Sequence, residues 1–273
     1  MKIYSLFDKL IHFENNILNL DICNNVWFFD ISEILELMSY IINKYQSTEI
    51  NSINILWNCE VVKYLERINF KSNLEKIFQI NSNLVENNYT WNNNLLQEIK
   101  VFSNKNEFYS INEKILKMLS LIWLNEDSSY LVLSSLWEII DNSFFHNLWR
   151  WELEFWPICL FLAQNYPNKR KLSFSITDLW IWFRGTLKVN YPWLIEEKEY
   201  IEIALKPWIT WRYQNKWWNW LVYLQKNIFN WFNWELFIRS NDTLTKVESF
   251  WKLQVLQNKL DMTWVSINFN LFY

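Results

Sequence analysis

The chain has 273 residues and a net charge of −3, and charged residues of both signs are scattered along it. No basic patch of the kind that binds a phosphate backbone is visible, so the composition argues against a nucleic-acid-binding protein. The apolar share of 51% is enough to build the cores of two ordinary domains.

The first part of the chain alternates between strand-like and helix-like patterns. Four segments are predicted in the order strand, helix, strand, helix, over Val26–Ser32, Ser32–Gln46, Ile53–Trp57 and Cys59–Phe70. This βαβα order predicts a small α/β unit. Residues 71–110 are rich in Asn and Ser, and we expect them to end that unit and to form a connector.

The cysteines predict the compartment. Cys23, Cys59 and Cys159 are odd in number, far apart and without C-x-x-C spacing, which favours reduced thiols over a disulfide framework or a zinc site. The apolar run Trp156–Ala163 is too short to span a bilayer, and the N-terminal residues are interrupted by charges. We therefore expect a cytoplasmic protein without a membrane segment.

Tryptophan stands where glycine is expected. The chain has 20 Trp and one Gly, together 21 of 273 residues, about 8%, which is close to the usual share of Gly alone. Asn219-Trp220, Asn230-Trp231 and Asn233-Trp234 become Asn-Gly turn signals if Trp is replaced by Gly. Because UGA encodes Gly in some bacterial lineages and Trp in other codes, we interpret the Trp residues as recoded Gly. The alternative is a Trp-rich protein that binds carbohydrate or a membrane interface.

Two helices follow the connector. Ile111–Ile122 is predicted to be helical, Trp123 as Gly would end that helix, and Asn125 would cap the next one. In the second helix the spacing places an apolar set toward a core, namely Leu136, Ile139, Ile140 and Phe144. It places a second set on one other face, namely Glu138, Asp141, Asn142 and Phe145.

Glu138 and Asn142 form the first candidate site. A carboxylate one helical turn from an amide can orient a water for attack, while the amide oxygen takes one place around Mg²⁺. A Glu and an Asn also occur together on ordinary solvated helix faces, so this pair leaves both interpretations open.

The second candidate site follows an alternating strand. Lys171–Thr177 is predicted to be that strand, and it ends in Asp178. Trp180 and Trp182, as Gly, would let the backbone lie against a flat base while Asp178 accepts a hydrogen bond from an exocyclic amine.

The third candidate site is the segment 215–224, with the sequence NKWWNWLVYL. With Gly at Trp217, Trp218 and Trp220 it becomes a glycine-rich turn that leads into a helix, and such a turn binds anions. Lys216 lies directly before it.

In chain order, EIIDN (138–142), DLWIW (178–182) and KWWNWL (216–221) resemble the N, G1 and G2 boxes of the GHKL ATPases, the superfamily of gyrase, heat-shock chaperones, histidine kinases and MutL. The segment 230–240 resembles the hairpin after the second glycine box, and 261–272 resembles the closing Thr-Gly strand with Thr263. The resemblance covers about residues 111–273. It implies a Bergerat-type α/β sandwich with a mixed, mainly antiparallel sheet and helices on one face.

The resemblance also implies roles. Asn142 would hold Mg²⁺, Glu138 would activate water, and Asp178 would bind the adenine amine. Trp180 and Trp182, as Gly, would line the base, and Trp217, Trp218 and Trp220, as Gly, would surround the triphosphate of ATP. Arg212 and Lys216 are either phosphate contacts or ordinary solvated cations. The segment Phe183–Asn215, with a predicted helix at Glu196–Leu205, occupies the place of the ATP lid.

Neither histidine matches the phosphoacceptor of a sensor kinase. His146 follows the N box, where a structural role is expected, and His12 is not in a dimerisation helix before that box. The N-terminal unit is weakly similar to STAS-type domains, which implies a module for interaction with a protein partner. The expected division is a STAS-like unit with its connector at 1–110 and a histidine-kinase-like ATPase domain at 111–273.

The leading expectation is an ATP-binding regulatory protein, with a homodimer as one possible assembly, that hydrolyses ATP or phosphorylates a Ser of a partner protein. A nucleotide-gated binding module without turnover is the alternative from a different class.

Overall fold

The computed structural model describes residues 3–23, 29–56, 59–80, 95–147, 159–179, 183–206, 233–241, 243–249, 252–258 and 265–273. Within these ranges the chain is a mixed α+β protein, as the sequence predicts. It has a three-stranded sheet near the N-terminus and a seven-stranded sheet that contains all the other strands of the described ranges. No helix in the described ranges is both long and apolar enough to cross a membrane.

The N-terminal unit contains four helices and three strands. In chain order these are α1 (Ile3–Leu10), β1 (Ile11–Glu14), β2 (Ile17–Asp21), α2 (Ile31–Tyr45), β3 (Ser52–Leu56), α3 (Glu60–Arg67) and α4 (Phe70–Ile77). Strands β1 and β2 are antiparallel, and β2 and β3 are parallel. Asn15 and Asn16 join β1 to β2 with φ of 52° and 61°, as in the two-residue turns that match strand twist.

The predicted βαβα order is present, but its first strand is β2 and not Val26–Ser32. Residues 24–28 lie outside the described part of the chain, and Asp30 is the N-cap of α2. The Asp30 carboxylate accepts a hydrogen bond from the Ser32 amide at 3.2 Å, and the Glu33 carboxylate accepts one from the Asp30 amide at 2.9 Å. This capping box makes Ile31 and Ser32 helical, so the strand prediction is wrong there.

The second sheet has the strand order β4-β5-β6-β10-β7-β8-β9, and every neighbouring pair is antiparallel. Its strands are β4 (Leu96–Phe102), β5 (Cys159–Tyr166), β6 (Lys171–Asp178), β7 (Asn233–Ser240), β8 (Thr243–Ser249), β9 (Lys252–Asn258) and β10 (Val265–Phe272). Strand β4 comes from the segment expected to be a connector, and it pairs with β5 at the edge of the sheet.

Helices cover both faces of this sheet. They include α5 (Asn112–Ser120), α6 (Glu126–Asn147), α7 (Phe183–Leu187) and α8 (Glu197–Ala204). Alternate residues of β5 divide between two cores: Phe161 joins the core beneath α5, α6 and α8, whereas Leu160 and Leu162 join the core formed with the N-terminal unit. Helix α2 packs against β5, β6 and β10 on that second face. The resemblance implied helices on one face only.

Cys23 and Cys59 form a disulfide, with Cα atoms 6.0 Å apart. The prediction of three reduced thiols is therefore wrong for this pair. Sequence spacing could not reveal the pairing, because Cys23 follows β2 and Cys59 follows β3, and these two strands are neighbours in space. Cys159 is a free and fully buried thiol.

Candidate functional site

Helix α6 carries the first two candidate residues. Asn125 precedes it, as predicted, and the Asn125 side chain accepts a hydrogen bond from the Ser128 amide at 2.8 Å. The predicted apolar set is buried in the core beneath the sheet, which confirms the predicted orientation; its members are Leu136, Ile139, Ile140 and Phe144.

Asn142 is buried, with 6% of its surface exposed. The interpretation of Glu138 and Asn142 as a solvated face therefore fails for Asn142. Its Nδ2 atom is buried and has no hydrogen-bond partner among the described residues. A buried amide hydrogen without a partner is costly, so a partner from outside the described ranges is expected at this position.

Glu138 lies one turn before Asn142 and is half-buried. Burial raises the pKa of its carboxyl group, and the nearby charge of Asp141 raises the pKa further. A carboxylate with a raised pKa is a stronger base at neutral pH than an ordinary glutamate.

Asp178 is the last residue of β6 and lies on the face of the sheet that carries α6. Its register partner in β5 is Cys159, and Asp178 is 8% exposed. Burial raises the pKa of the Cys159 thiol, and the Asp178 charge raises it further, whereas a hydrogen bond with the Ser143 side chain lowers it. Ser143 directly follows Asn142 on α6, so the Ser143–Cys159 contact brings Asn142 and Asp178 to one end of the helix–sheet layer.

The end of β6 is part of a row across four strands. Cys159, Asp178, Val265 and Ser240 are successive register partners in β5, β6, β10 and β7. Ser240 is fully buried, and its hydroxyl accepts a hydrogen bond from the Phe183 amide at 3.1 Å. The start of α7 is thereby attached to the row that contains Asp178.

Glu197 completes this attachment from α8. Its Oε1 atom accepts hydrogen bonds from the Ser240 hydroxyl and from the Arg184 amide, the latter at 3.2 Å. The helix predicted at Glu196–Leu205 is confirmed as α8, with Glu196 as N-cap and Leu205 as C-cap, and its role in an ATP lid stays a prediction. Sequence reasoning missed both Glu197 and Ser240. The only local signal was a strand-ending Ser before Asn241, which has φ of 48°.

The α6 side chains could hold Mg²⁺ only together with a bound phosphate that supplies further oxygens to the ion. In nucleotide sites Mg²⁺ takes one or two protein oxygens and completes its shell with phosphate and water. The amide oxygen of Asn142 could supply one of these oxygens. Among the described residues no group of three His, Cys, Asp or Glu side chains could hold a metal ion by itself.

The remaining predicted site residues lie outside the described ranges: Trp180, Trp182, Arg212, Lys216, Trp217, Trp218, Trp220 and Thr263. Their proposed roles stay predictions. The structure thus places Asp178 of the second box at the end of β6 that contacts α6 next to Asn142 of the first box, and Glu138 lies one helical turn before Asn142.

Four Trp residues can be compared with the glycine interpretation. Trp123 has φ of 62° and is 93% exposed, in the turn that was predicted to end the helix before α6. Trp193 lies in an exposed turn. Trp137 lies within α6 and contacts Phe108, with ring centroids 4.7 Å apart.

Trp234 does not behave as expected. The Asn233-Trp234 pair was predicted to form a turn, but Asn233 begins β7 and Trp234 pairs with Leu271. This register turns the indole toward the core, where it is 7% exposed and lies 5.2 Å from the Phe269 ring. The turn prediction is wrong at this position because the strand begins one residue earlier.

Comparison of the chain with protein-family models, with curated proteins and with solved structures gives no match.

Proposed function

We propose that this protein binds ATP with Mg²⁺ at the end of the layer formed by α6 and β6, and that it acts as a regulatory ATPase or as a kinase for a Ser of a partner protein. The observation that carries the proposal is the convergence of a helical Glu–Asn pair and a strand-ending Asp. These residues are far apart in sequence, and the Ser143–Cys159 contact joins the two elements that hold them.

Each of the three residues has a chemical task in this proposal. Asp178 accepts a hydrogen bond from the exocyclic amine of adenine. Asn142 offers its amide oxygen to Mg²⁺, which neutralises charge on the transferring phosphoryl group. Glu138 takes the proton of the attacking water or Ser hydroxyl. The oxygen of that water or Ser bonds to the γ-phosphorus, and the bond from the γ-phosphorus to the β–γ bridging oxygen breaks. The raised pKa of Glu138 suits this role.

The GHKL resemblance supports the same assignment, and so does the sheet. All neighbouring strand pairs of the seven-stranded sheet are antiparallel, and the resemblance implies a mainly antiparallel sheet. A protein partner would bind the STAS-like N-terminal unit. Since α2 packs against the sheet, the exposed charged side of α3, with Lys63, Glu66 and Arg67, is the better surface for that contact.

The proposal is tested with the full chain that carries Gly at the 20 Trp positions. Glu138→Gln should retain nucleotide but lose turnover by roughly 10² or more, the usual effect of removing a general base. Asn142→Ala should instead weaken the Mg²⁺ dependence of binding. Normal turnover by Glu138→Gln would exclude Glu138 as the base, and binding without any turnover by the parent would favour the nucleotide-gated module.

The glycine interpretation needs its own test. Indoles at Trp217, Trp218 and Trp220 would fill the space where backbone amides approach phosphate, so the Trp chain should not bind ATP. Trypsin should release residues 217–226 from protein made in the native organism as one peptide, with a mass that corresponds to three Gly. A peptide with three intact indoles would refute recoding.

A further inference from the structure

Glu197 is a buried carboxyl at the first position of α8. It is 4% exposed, whereas its neighbour Glu196 is exposed. Burial of a carboxyl is unfavourable unless hydrogen bonds compensate it. In this case the compensating donors are the Ser240 hydroxyl and the Arg184 amide, so the position is specified by polar contacts and not by packing.

These contacts converge on the backbone at the start of α7. Phe183 donates its amide hydrogen to Ser240, and Arg184 donates its own to Glu197. Two consecutive amides of one segment are therefore held by two buried side chains, one from β7 and one from α8. Hydrogen bonds to backbone amides fix the course of the chain whatever side chains the segment carries.

The held segment follows closely after Asp178. Asp178 ends β6, Leu179 is 1% exposed in the second core, and Phe183 begins α7. Ser240 is joined to Asp178 through Val265, the common register partner of both residues. Strand β6 therefore fixes the chain on one side of residues 180–182, and the Glu197–Ser240 pair fixes it on the other.

We infer that Glu197 and Ser240 are positioning residues for the base-binding part of the nucleotide site. They hold the start of α7 in a fixed position relative to Asp178, so that this part of the site is ordered before the nucleotide arrives. This inference rests on the proposed function. Such preorganisation acts on affinity, because a chain that is ordered in advance loses less entropy on binding.

The effect should be confined to binding. Glu138 is on α6, whereas the hydrogen bonds of Glu197 and Ser240 join these residues to each other and to the start of α7. Loss of the pair should therefore weaken the affinity for Mg-ATP and leave turnover at saturating ATP almost unchanged.

The experiment uses the full chain with Gly at the 20 Trp positions and measures the Kd for Mg-ATP by calorimetry, turnover at saturating ATP, and amide hydrogen exchange at Phe183 and Arg184. Glu197→Ala and Ser240→Ala should each raise the Kd about tenfold, as the loss of one or two buried hydrogen bonds would, with turnover within about twofold. Exchange should become faster at Phe183 and Arg184. Glu197→Gln keeps an acceptor oxygen and should recover most of the affinity, and Glu202→Ala, on the same helix but half-exposed, should change nothing.

The outcomes separate the two proposals. A parent that does not bind ATP overturns both. A parent that binds ATP, together with an unchanged Kd in Glu197→Ala and Ser240→Ala, overturns the positioning role alone, and so does a loss of turnover with unchanged Kd. If Glu197→Ala does not fold, Ser240→Ala, which removes a single hydroxyl, decides the question by the same criteria.

Discussion

On the face of the seven-stranded sheet that carries α6, strands β5, β6 and β10 present Phe161, Phe174 and Phe269, whereas toward α2 strands β6, β10 and β7 present Ser175, Asn268 and Arg239. The first face is stabilised by buried apolar area. The second face also buries apolar side chains, among them two Leu of β5, but it adds directed contacts, because each buried polar group needs its partner. The position of α2 on the sheet is therefore specified by polar contacts as well as by apolar packing.

The polar face has a defined pattern. Side chains of β6 and β10 pair across the strand boundary: Ser173 donates to Asn270 at 2.6 Å, and Ser175 donates to Asn268. Next to them the Arg239 Nε atom donates to Glu36 of α2 at 2.7 Å, with both side chains less than 5% exposed. This ion pair fixes where α2 lies on the sheet. Arg239 also directly precedes Ser240, so β7 contacts α2 on one face and α7 and α8 on the other.

The largest effect is expected from breaking the buried ion pair. Arg239→Ala or Glu36→Ala leaves a buried charge without its partner, which should lower the free energy of unfolding by about 3–5 kcal/mol. The matched control is Glu235–Lys246, an ion pair of 2.6 Å between β7 and β8 with both side chains about one-third exposed, for which about 0–1 kcal/mol is expected. Urea unfolding measures both. Equal losses from the two pairs would show that the polar face is not specified by Glu36 and Arg239.

Single Trp→Gly substitutions, made in the chain that carries Trp at all the other positions, should affect stability differently at buried and at exposed positions. Trp234→Gly removes a core ring beside Phe269 and should cost about 3–5 kcal/mol. Trp123→Gly should instead stabilise by about 1 kcal/mol, because a residue with Cβ is unfavourable at positive φ. Trp193→Gly, in an exposed turn, should lie within about 0.5 kcal/mol of the parent. Thermal unfolding that showed a loss for Trp123→Gly would contradict the strained turn.

A smaller effect concerns pH and Glu138. Its pKa is raised in the folded chain, so the folded state keeps this proton to higher pH than the unfolded state does. The free energy of unfolding should therefore fall as pH rises from about 4.5 through the folded pKa. Because Glu138 is half-exposed, the difference between the parent and Glu138→Gln should be about 0.5 kcal/mol or less. A difference between the two proteins that grew in the opposite direction with pH would contradict the burial of Glu138.

Sequence patterns predicted what depends on neighbours in the chain. The cap at Asn125, the apolar side of α6, the strand that ends at Asp178 and helix α8 all follow from periodicity and capping chemistry within one element. The predicted strand failed at Ile31 and Ser32 for a related reason, since the capping box of Asp30 and Glu33 begins α2 there.

Contacts between distant segments could not be predicted. Glu197 meets Ser240 across 43 residues, and Glu36 meets Arg239 across 203, and nothing in either local sequence indicates the partner. The Cys23–Cys59 disulfide depends in the same way on the pairing of β2 with β3. Strand β4 was missed because its residues follow an Asn-rich stretch, and its identity depends on pairing with β5.

The most direct measurement is a calorimetric titration of the full chain, with Gly at the 20 Trp positions, with Mg-ATP and Mg-GTP. The Asp178 carboxylate can accept from the adenine amine but would face the carbonyl of guanine, which leaves buried acceptors unpaired at a cost of about 1–3 kcal/mol. ATP should bind at least about tenfold more tightly than GTP, and Asp178→Asn should reduce this preference. Equal binding of both nucleotides by the parent, or a preference that Asp178→Asn leaves intact, would remove Asp178 from the site and contradict ATP recognition at the end of β6.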